Sequence, residues 1–309
     1  MVVSQSTNRR EFFAAASAAA VSSAPAAGRP IRLGGPVFIK SSDPREIARE
    51  HRRLGYGAAT CPNTSVDDAA RVREIEKAFA AENVVIAEVG AWKNLLDPDL
   101  EERKKNFRYV AERFALAEMV GARCCVDIAG SYHPKIWYAA HPKNFSREFF
   151  DATVENVRRL IDEVKPKRAK YTVEMMGWAI PDGPDSYLKL IRAVDRKQFA
   201  VHLDPCNGIN SPERFYNNAA FIEECYRKLG QWIVSVHAKD LAWLPEMNVH
   251  FAEVIPGRGE VDYRPLLRGI ASLGQEATLI MEHLKTAAEY EEGQRYIRKV
   301  GAELGLSFV

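Results

Sequence analysis

Four residues able to hold a cation each close a short apolar run. Tyr171-Thr-Val-Glu174 delivers Glu174, Phe199-Ala-Val-His-Leu-Asp204 delivers Asp204, Trp232-Ile-Val-Ser-Val-His237 delivers His237, and Thr278-Leu-Ile-Met-Glu282 delivers Glu282. Three carboxylates and one imidazole form a hard, oxygen-rich donor set, which suits Mn²⁺ (or Mg²⁺ or Co²⁺) better than structural zinc. A divalent cation that chelates a ketone and its neighbouring hydroxyl stabilises the charge left when the α-proton departs, a gain of several kcal/mol. A positioned carboxylate base adds about 10²- to 10⁴-fold. Neither effect alone deprotonates a C–H at neutral pH, and together they are a workable pair.

The elements that must position these residues follow from periodicity. Side chains alternate along a strand, so Ser235, His237 and Lys239 share one side, and Thr172, His202 and Ile280 share a face with the strand-end residue two places on. The four chemical positions are separated by 30, 33 and 45 residues, close to one βα unit each, which assigns them to strands five to eight of a repeating βα chain. Candidate strands are 31–38, 55–60, 84–89, 122–128, 169–175, 198–204, 232–238 and 277–283. Amphipathic helical patterns cover 66–81, 101–120, 147–164, 185–194, 211–229 and 287–302. Asp43-Pro44 and Ser211-Pro212 each place a capping residue before a first-turn proline. Eight strands, most followed by a helix, predict a single α/β domain, a closed (β/α)₈ TIM barrel, with its chemistry at the carboxyl ends of the strands. A doubly wound sheet would want a glycine-rich phosphate turn after its first strand, which Gly34-Gly-Pro36 does not supply. Two connections, 129–146 and 239–261, are long enough to be functional loops or disordered ones.

Composition narrows the function classes. The 43 basic and 41 acidic residues leave a net charge of +2, so there is no electrostatic footprint for nucleic acid. Outside the Ala-rich start no apolar run reaches the ~18 residues of a membrane span. Five cysteines, odd in number and without C-x-x-C spacing, read as buried free thiols rather than a disulfide framework or zinc site. Asn8-Arg-Arg-Glu-Phe-Phe13, a weakly apolar stretch and Ala24-Pro-Ala26 resemble a twin-arginine export signal over residues 1–26, with the barrel spanning 27–309. Such a leader implies a periplasmic protein that folds and loads its metal before crossing. A disordered Ala-rich tail on a cytoplasmic protein is the alternative.

Val173-Glu174, His202-Leu-Asp204-Pro, Ser235-Val-His237-Ala-Lys239-Asp240, Pro256-Gly-Arg-Gly259 and Met281-Glu282-His283 together resemble the xylose-isomerase-like barrel superfamily. Tagatose and psicose epimerases, inosose dehydratases and endonuclease IV are among its members. The resemblance covers roughly residues 31 to 303 and implies a metal held by Glu174, Asp204, His237 and Glu282. In sugar epimerases of that family the two metal-bound glutamates flank the substrate carbon and exchange its proton. His141-Pro-Lys-Asn144, Glu174-Met-Met-Gly-Trp178-Ala-Ile-Pro181 and Asp204-Pro-Cys-Asn-Gly-Ile-Asn-Ser-Pro212 look closer to the catalytic subunits of 3-oxo-glycoside (C-glycoside) deglycosidases. That likeness implies a small-molecule sugar or glycoside as substrate, with Trp178 and Asn207 among its contacts, and allows a homo-oligomer or a small partner subunit.

Further candidates surround the four. His133, Trp137 and His141 fall in the 129–146 loop over the barrel mouth, where aromatics stack on sugar faces or staple the loop to the rim. His141 is the candidate acid/base beyond the metal, and a surface role is its alternative. Lys239 is expected to hydrogen-bond a substrate oxygen or a metal-bound carboxylate, or to snorkel at the rim. Arg258, between two glycines, is expected to approach a polar substrate. Glu88 lines the cavity or pairs with Lys93, and His202 is a satisfied core histidine or a partner behind the ligands.

These residues predict an isomerase- or epimerase-like enzyme abstracting a proton α to the carbonyl of a keto-sugar. A 3-oxo-glycoside lyase, deglycosidase or hydratase is the alternative on the same scaffold. The tagatose-epimerase pattern has an Arg six residues after its metal-binding His and a Glu six after its first metal-binding Glu; here Trp243 and Ile180 stand there. Apolar residues at those places suit a glycoside bearing an aglycone. An endonuclease IV-like nuclease needs a multinuclear zinc cluster with several more His ligands and a basic face for DNA, and seven histidines in all with a net charge of +2 argue against it. A metal- or sugar-binding protein without turnover is the remaining class.

Overall fold

Gly28 to Val309 are the residues described by the structure, a computed structural model, and the leader expected over 1–26 lies outside them. The apolar runs form β1 (Arg32–Gly34), β2 (Ala58–Thr60), β3 (Val85–Gly90), β4 (Cys124–Asp127), β5 (Lys170–Glu174), β6 (Phe199–Leu203), β7 (Ile233–Ala238), β8 (Asp240–Trp243), β9 (Phe251–Val254) and β10 (Thr278–Met281). All but β8 and β9 are parallel and close a barrel in the order β1-β10-β7-β6-β5-β4-β3-β2. The chain is a single (β/α)₈ barrel.

Its helices are α1 (Pro44–Arg53), α2 (Ala69–Ala81), α3 (Leu100–Val120), α4 (Arg147–Val164), α5 (Pro184–Val194), α6 (Pro205–Gly208), α7 (Pro212–Tyr216), α8 (Asn218–Leu229), α9 (Tyr263–Ala271) and α10 (Ala287–Glu303). The predicted caps form: Asp43 accepts from the Arg45 amide at 2.8 Å and Ser211 from the Arg214 amide at 3.2 Å. Two expectations need correction. The pattern over 211–229 is two helices, because Asn217 leaves helical geometry (φ −111°, ψ 30°) and the Asn218 side chain caps the Phe215 carbonyl at 2.7 Å. The 239–261 connection is an antiparallel hairpin, β8 on β9, rather than a loop without structure of its own.

Strand alternation splits the core in two. Outward residues such as Tyr171 pack under the helices, its ring 5.4 Å from that of Phe114. Inward positions are mostly small or polar: Ala58 and Ala87 form a separate buried cluster with the larger Ile280, and Thr172, His202, Ser235 and Thr278 are also buried. Gly34 belongs to this crowded interior, since a Cβ there would lie 2.4 Å from the Ala58 carbonyl oxygen. All five cysteines are free, and among the described residues no helix is long and apolar enough to cross a membrane.

Candidate metal centre at the barrel mouth

Glu174 closes β5, Asp204 follows β6, His237 lies near the end of β7 and Glu282 follows β10. One donor atom from each falls within 4.8 Å of the other three. His237 Nδ1 is 3.1 Å from Glu174 Oε1, 3.5 Å from Asp204 Oδ2 and 2.9 Å from Glu282 Oε1. Three of the four side chains are buried, and Glu282 alone keeps partial access to solvent. Asp204 Oδ2 and Glu282 Oε1 are buried without a properly directed hydrogen bond, although Lys239 Nζ lies 2.8 and 2.6 Å away. Buried anionic oxygens left under-bonded around one imidazole nitrogen fit a small hard cation.

Burial works against every charge here, and neighbours decide the outcome. Burial raises the Glu174 carboxyl pKa, and His237 only partly offsets it. At Asp204 burial pushes upward but Lys239 and His237 prevail, leaving its pKa well below the usual carboxylate range; Glu282 is lowered by His237 and Lys239 in the same way. Lys239 answers with a raised pKa: burial pulls it down, but the four carboxylates of Asp204, Glu174, Glu282 and Glu253 outweigh that desolvation. It is buried rather than a rim snorkeller, and its ammonium also reaches Asn207 Oδ1 at 3.5 Å.

The local sequence explains how Lys239 is held. The Asp240 carboxylate accepts backbone N–H bonds from Leu241, Gly257, Gly259 and Val261 at 2.8 to 3.0 Å, while the Tyr263 hydroxyl donates to the Lys239 carbonyl at 3.0 Å. Gly259 is required, since a Cβ there would sit 2.3 Å from Asp240 Oδ1. The Pro256-Gly-Arg-Gly259 stretch is therefore a backbone clamp. Its Arg258 does not join the site: the guanidinium makes a bidentate pair with Glu292 on α10, at 2.6 and 2.8 Å.

Asn207 does join it. Asp204 caps the single turn of α6, accepting the Asn207 amide at 3.2 Å, and the Asn207 side-chain amide donates to Glu174 Oε1 at 3.1 Å. The loop histidines serve their own loop. His133 Nδ1 accepts from the Lys135 and Ile136 amides at 3.2 and 3.0 Å, and His141 Nδ1 accepts from Lys143 at 3.2 Å, capping the 3-10 turn Pro142–Phe145. Tyr132 staples the loop to α4 through an edge-on contact with Phe149 at 5.5 Å. Trp137, Tyr138 and Trp178 stay exposed, as do Trp243, Met247 and Val249 of the hairpin. Glu88 pairs with the histidines inside the barrel, not with Lys93, and burial's upward pull on its carboxyl is overcome by His237 and His202.

Sequence periodicity passed over Glu253 and His283. Glu253, on β9, lies 3.6 Å from Lys239 Nζ and 2.7 Å from His283 Nδ1, and His283 Nε2 is 3.5 Å from Glu282 Oε2. Only folding of the hairpin over the mouth brings Glu253 there.

Asp127, at the end of β4, offers a pH test apart from the four. Burial pushes its carboxyl pKa up to about 8, against the pull of the Lys93 and Ile128 amides, each 2.9 Å from Oδ1. The unfolded carboxyl titrates near about 3.9. Between those values the folded chain holds a proton that the unfolded chain has lost, so stability falls as pH rises through that window. Asp127→Asn keeps the acceptor for both amides. Urea denaturation from about pH 4 to about pH 8 should show a flatter profile for the variant and a stability above the parent's at the upper end. Parallel profiles would contradict it.

No curated protein matches the chain. Among solved structures it is similar to a xylose isomerase-like TIM barrel protein from Mycobacterium smegmatis in complex with magnesium (19% identity, 88% of this chain and 96% of that one, TM-score 0.60). It is similar also to endonuclease IV from Thermus thermophilus (16% identity, 88% and 99%, TM-score 0.66). A third is 3-keto-D-glucoside 4-epimerase from E. coli (14% identity, 87% and 99%, TM-score 0.62). At these identities the likeness is one of fold. The family profile of the xylose isomerase-like TIM barrel matches residues 48–300, and the chain belongs to that family.

Proposed function

We propose that the protein is a divalent-metal enzyme that removes a proton α to the carbonyl of a keto-sugar. The observation that carries this reading is the convergence of Glu174, Asp204, His237 and Glu282, donors from four separate strand ends, on one small volume. These four would hold the cation, Mn²⁺, Mg²⁺ or Co²⁺ by donor type. When bound, the cation supplies Lewis-acid stabilisation of negative charge on a substrate carbonyl oxygen.

The chain's own groups do the rest. Glu282 is the base: it is the carboxylate open to the mouth, and its neighbours keep it ionised. Glu174, whose pKa burial raises, is the partner able to carry a proton on the other side of the reacting carbon. Asn207 keeps Glu174 in place through its amide, and Lys239 presents a buried ammonium where oxygen charge develops. His141 Nε2, left free by the Nδ1 cap, is the assisting group nearer solvent. Return of the proton to the opposite face is epimerisation. Alternatively, in a 3-oxo-glycoside, the C2 proton goes to the base, its bonding pair forms a C1=C2 double bond, and the C1–O bond breaks; that electron pair leaves with the aglycone oxygen, which then takes up a proton.

The apolar rim favours a glycoside over a small free ketose. Trp137, Tyr138, Trp178, Trp243 and Met247 are exposed on the connections, the β8–β9 hairpin included, that follow barrel strand ends, where an aglycone would lie. The export route implied by Arg9-Arg10 remains part of this proposal. The test is a panel of free ketoses and 3-oxo-glycosides in D₂O with added Mn²⁺, followed by product NMR after metal removal. Deuterium should enter at the carbon next to the carbonyl, fastest with the glycosides. Robust turnover of tagatose or psicose would defeat the glycoside preference, and turnover without solvent deuterium would defeat stepwise proton transfer.

A further inference from the structure

Glu88, on β3, has no part in the proton transfer described, yet three buried side chains converge on it from the far wall of the barrel. Its Oε2 lies 3.0 Å from His202 Nε2 and accepts from Ser235 Oγ at 3.3 Å, and its Oε1 lies 3.4 Å from His237 Nε2. Thr278 Oγ1 donates to Ser235 Oγ at 3.0 Å, which leaves the serine proton for Glu88. The two imidazole rings stand edge to face with centroids 4.1 Å apart. None of these five residues is more than 4% exposed, so the carboxylate is shielded from bulk solvent and depends on these side chains.

An ionised carboxylate only accepts, so each imidazole facing it must present an N–H. His202 does so through Nε2, which leaves its Nδ1 a bare nitrogen, and that atom is buried without a partner. His237 does so through Nε2 as well. Its Nδ1 faces Glu174, Asp204 and Glu282, so without a cation that nitrogen carries a proton as well; a cation held among those oxygens would displace the Nδ1 proton and leave the one on Nε2, where Glu88 accepts it. With the proton on the other nitrogen, His237 would point an N–H at a cation.

We infer that Glu88 is a positioning residue for the metal centre: it fixes His237 in the Nε2–H form, with Nδ1 as the ligand atom, while His202 and Ser235 lock Glu88 in turn. This rests on the metal reading of the four residues. Partners behind a ligating histidine typically govern affinity by about 10- to 100-fold.

Glu88→Gln keeps the side chain's size but sets an NH₂ group against one of the two imidazoles. Calorimetric titration with Mg²⁺ should show affinity falling by about 10- to 100-fold. Spectra of ¹⁵N-histidine-labelled protein loaded with Mg²⁺ should show His237 protonated on Nε2 in the parent and as mixed tautomers in the variant. A purely structural role would not move that signature. Unchanged affinity together with an unchanged His237 spectrum would overturn the inference, as would two ions per parent chain, since Glu88 and His202 would then be ligands themselves. If Glu88→Gln does not fold, the parent spectrum decides, and a loaded His237 carrying its proton on Nδ1 overturns it. A parent that binds no divalent cation removes the metal reading itself, and the inference falls with it.

Discussion

Glu282→Gln is expected to lower α-proton exchange by about 10²- to 10⁴-fold, the range for loss of a positioned base. The replacement keeps length and planarity and can still present an oxygen to a cation, but it cannot take a proton. Because Glu282 Oε1 is also one of the oxygens around His237 Nδ1, the rate must be read at saturating Mn²⁺ with ion content measured in parallel. Full occupancy with exchange lost assigns the proton transfer to Glu282. Full occupancy with exchange within a few-fold of the parent would move the base to Glu174, whose raised pKa already suits it to carrying a proton.

The second large effect concerns Lys239. Its side chain is 3% exposed, and Nζ lies 2.8 Å from Asp204 Oδ2 and 2.6 Å from Glu282 Oε1, two of the oxygens that also face His237 Nδ1. Removing one partner from a buried ion pair leaves an uncompensated charge, typically at a cost of about 3–5 kcal/mol. Lys239→Met preserves the stem's length and apolar contacts, so the loss reports the charge. Urea denaturation in the presence of a chelator should show that destabilisation. Added Mn²⁺ should then restore more stability to the variant than to the parent, because the cation no longer shares those oxygens with an ammonium; at about 1,000 times its dissociation constant a ligand contributes about 4 kcal/mol. A variant as stable as the parent without metal would mean that the carboxylates relax or protonate freely.

The eight barrel strands were legible as short apolar runs; four of them close on Glu174, Asp204, His237 and Glu282, and their carboxyl-end position with alternation put those residues at one end of the barrel. Long-range pairing was not legible. Parity placed Lys239 on the same side as His237 but could not say whether its flexible stem reaches inward; the Asp240 clamp decides that. The same clamp directs Arg258 outward to Glu292, a pair between residues 34 apart in the chain. His133 and His141 could be placed in the loop over the mouth, but that Nδ1 of each is occupied by local amides is a detail of loop geometry that residue type does not encode. Glu88 offered two readings, and only barrel closure, which sets β3 opposite β7, brings it to His237.

Asp240 has a consequence for how such a protein can diversify. One carboxylate gathers amides from both ends of the hairpin insertion, at Leu241 and at Gly257, Gly259 and Val261. The segment between those anchors is mechanically a cassette. Its tip, from Leu244 to His250, can be exchanged, lengthened or shortened while the junction holds Lys239 where it is. Selectivity for the outer part of a substrate can thus drift through this cassette while the acid–base groups beneath stay unchanged, as variable loops do on a rigid frame.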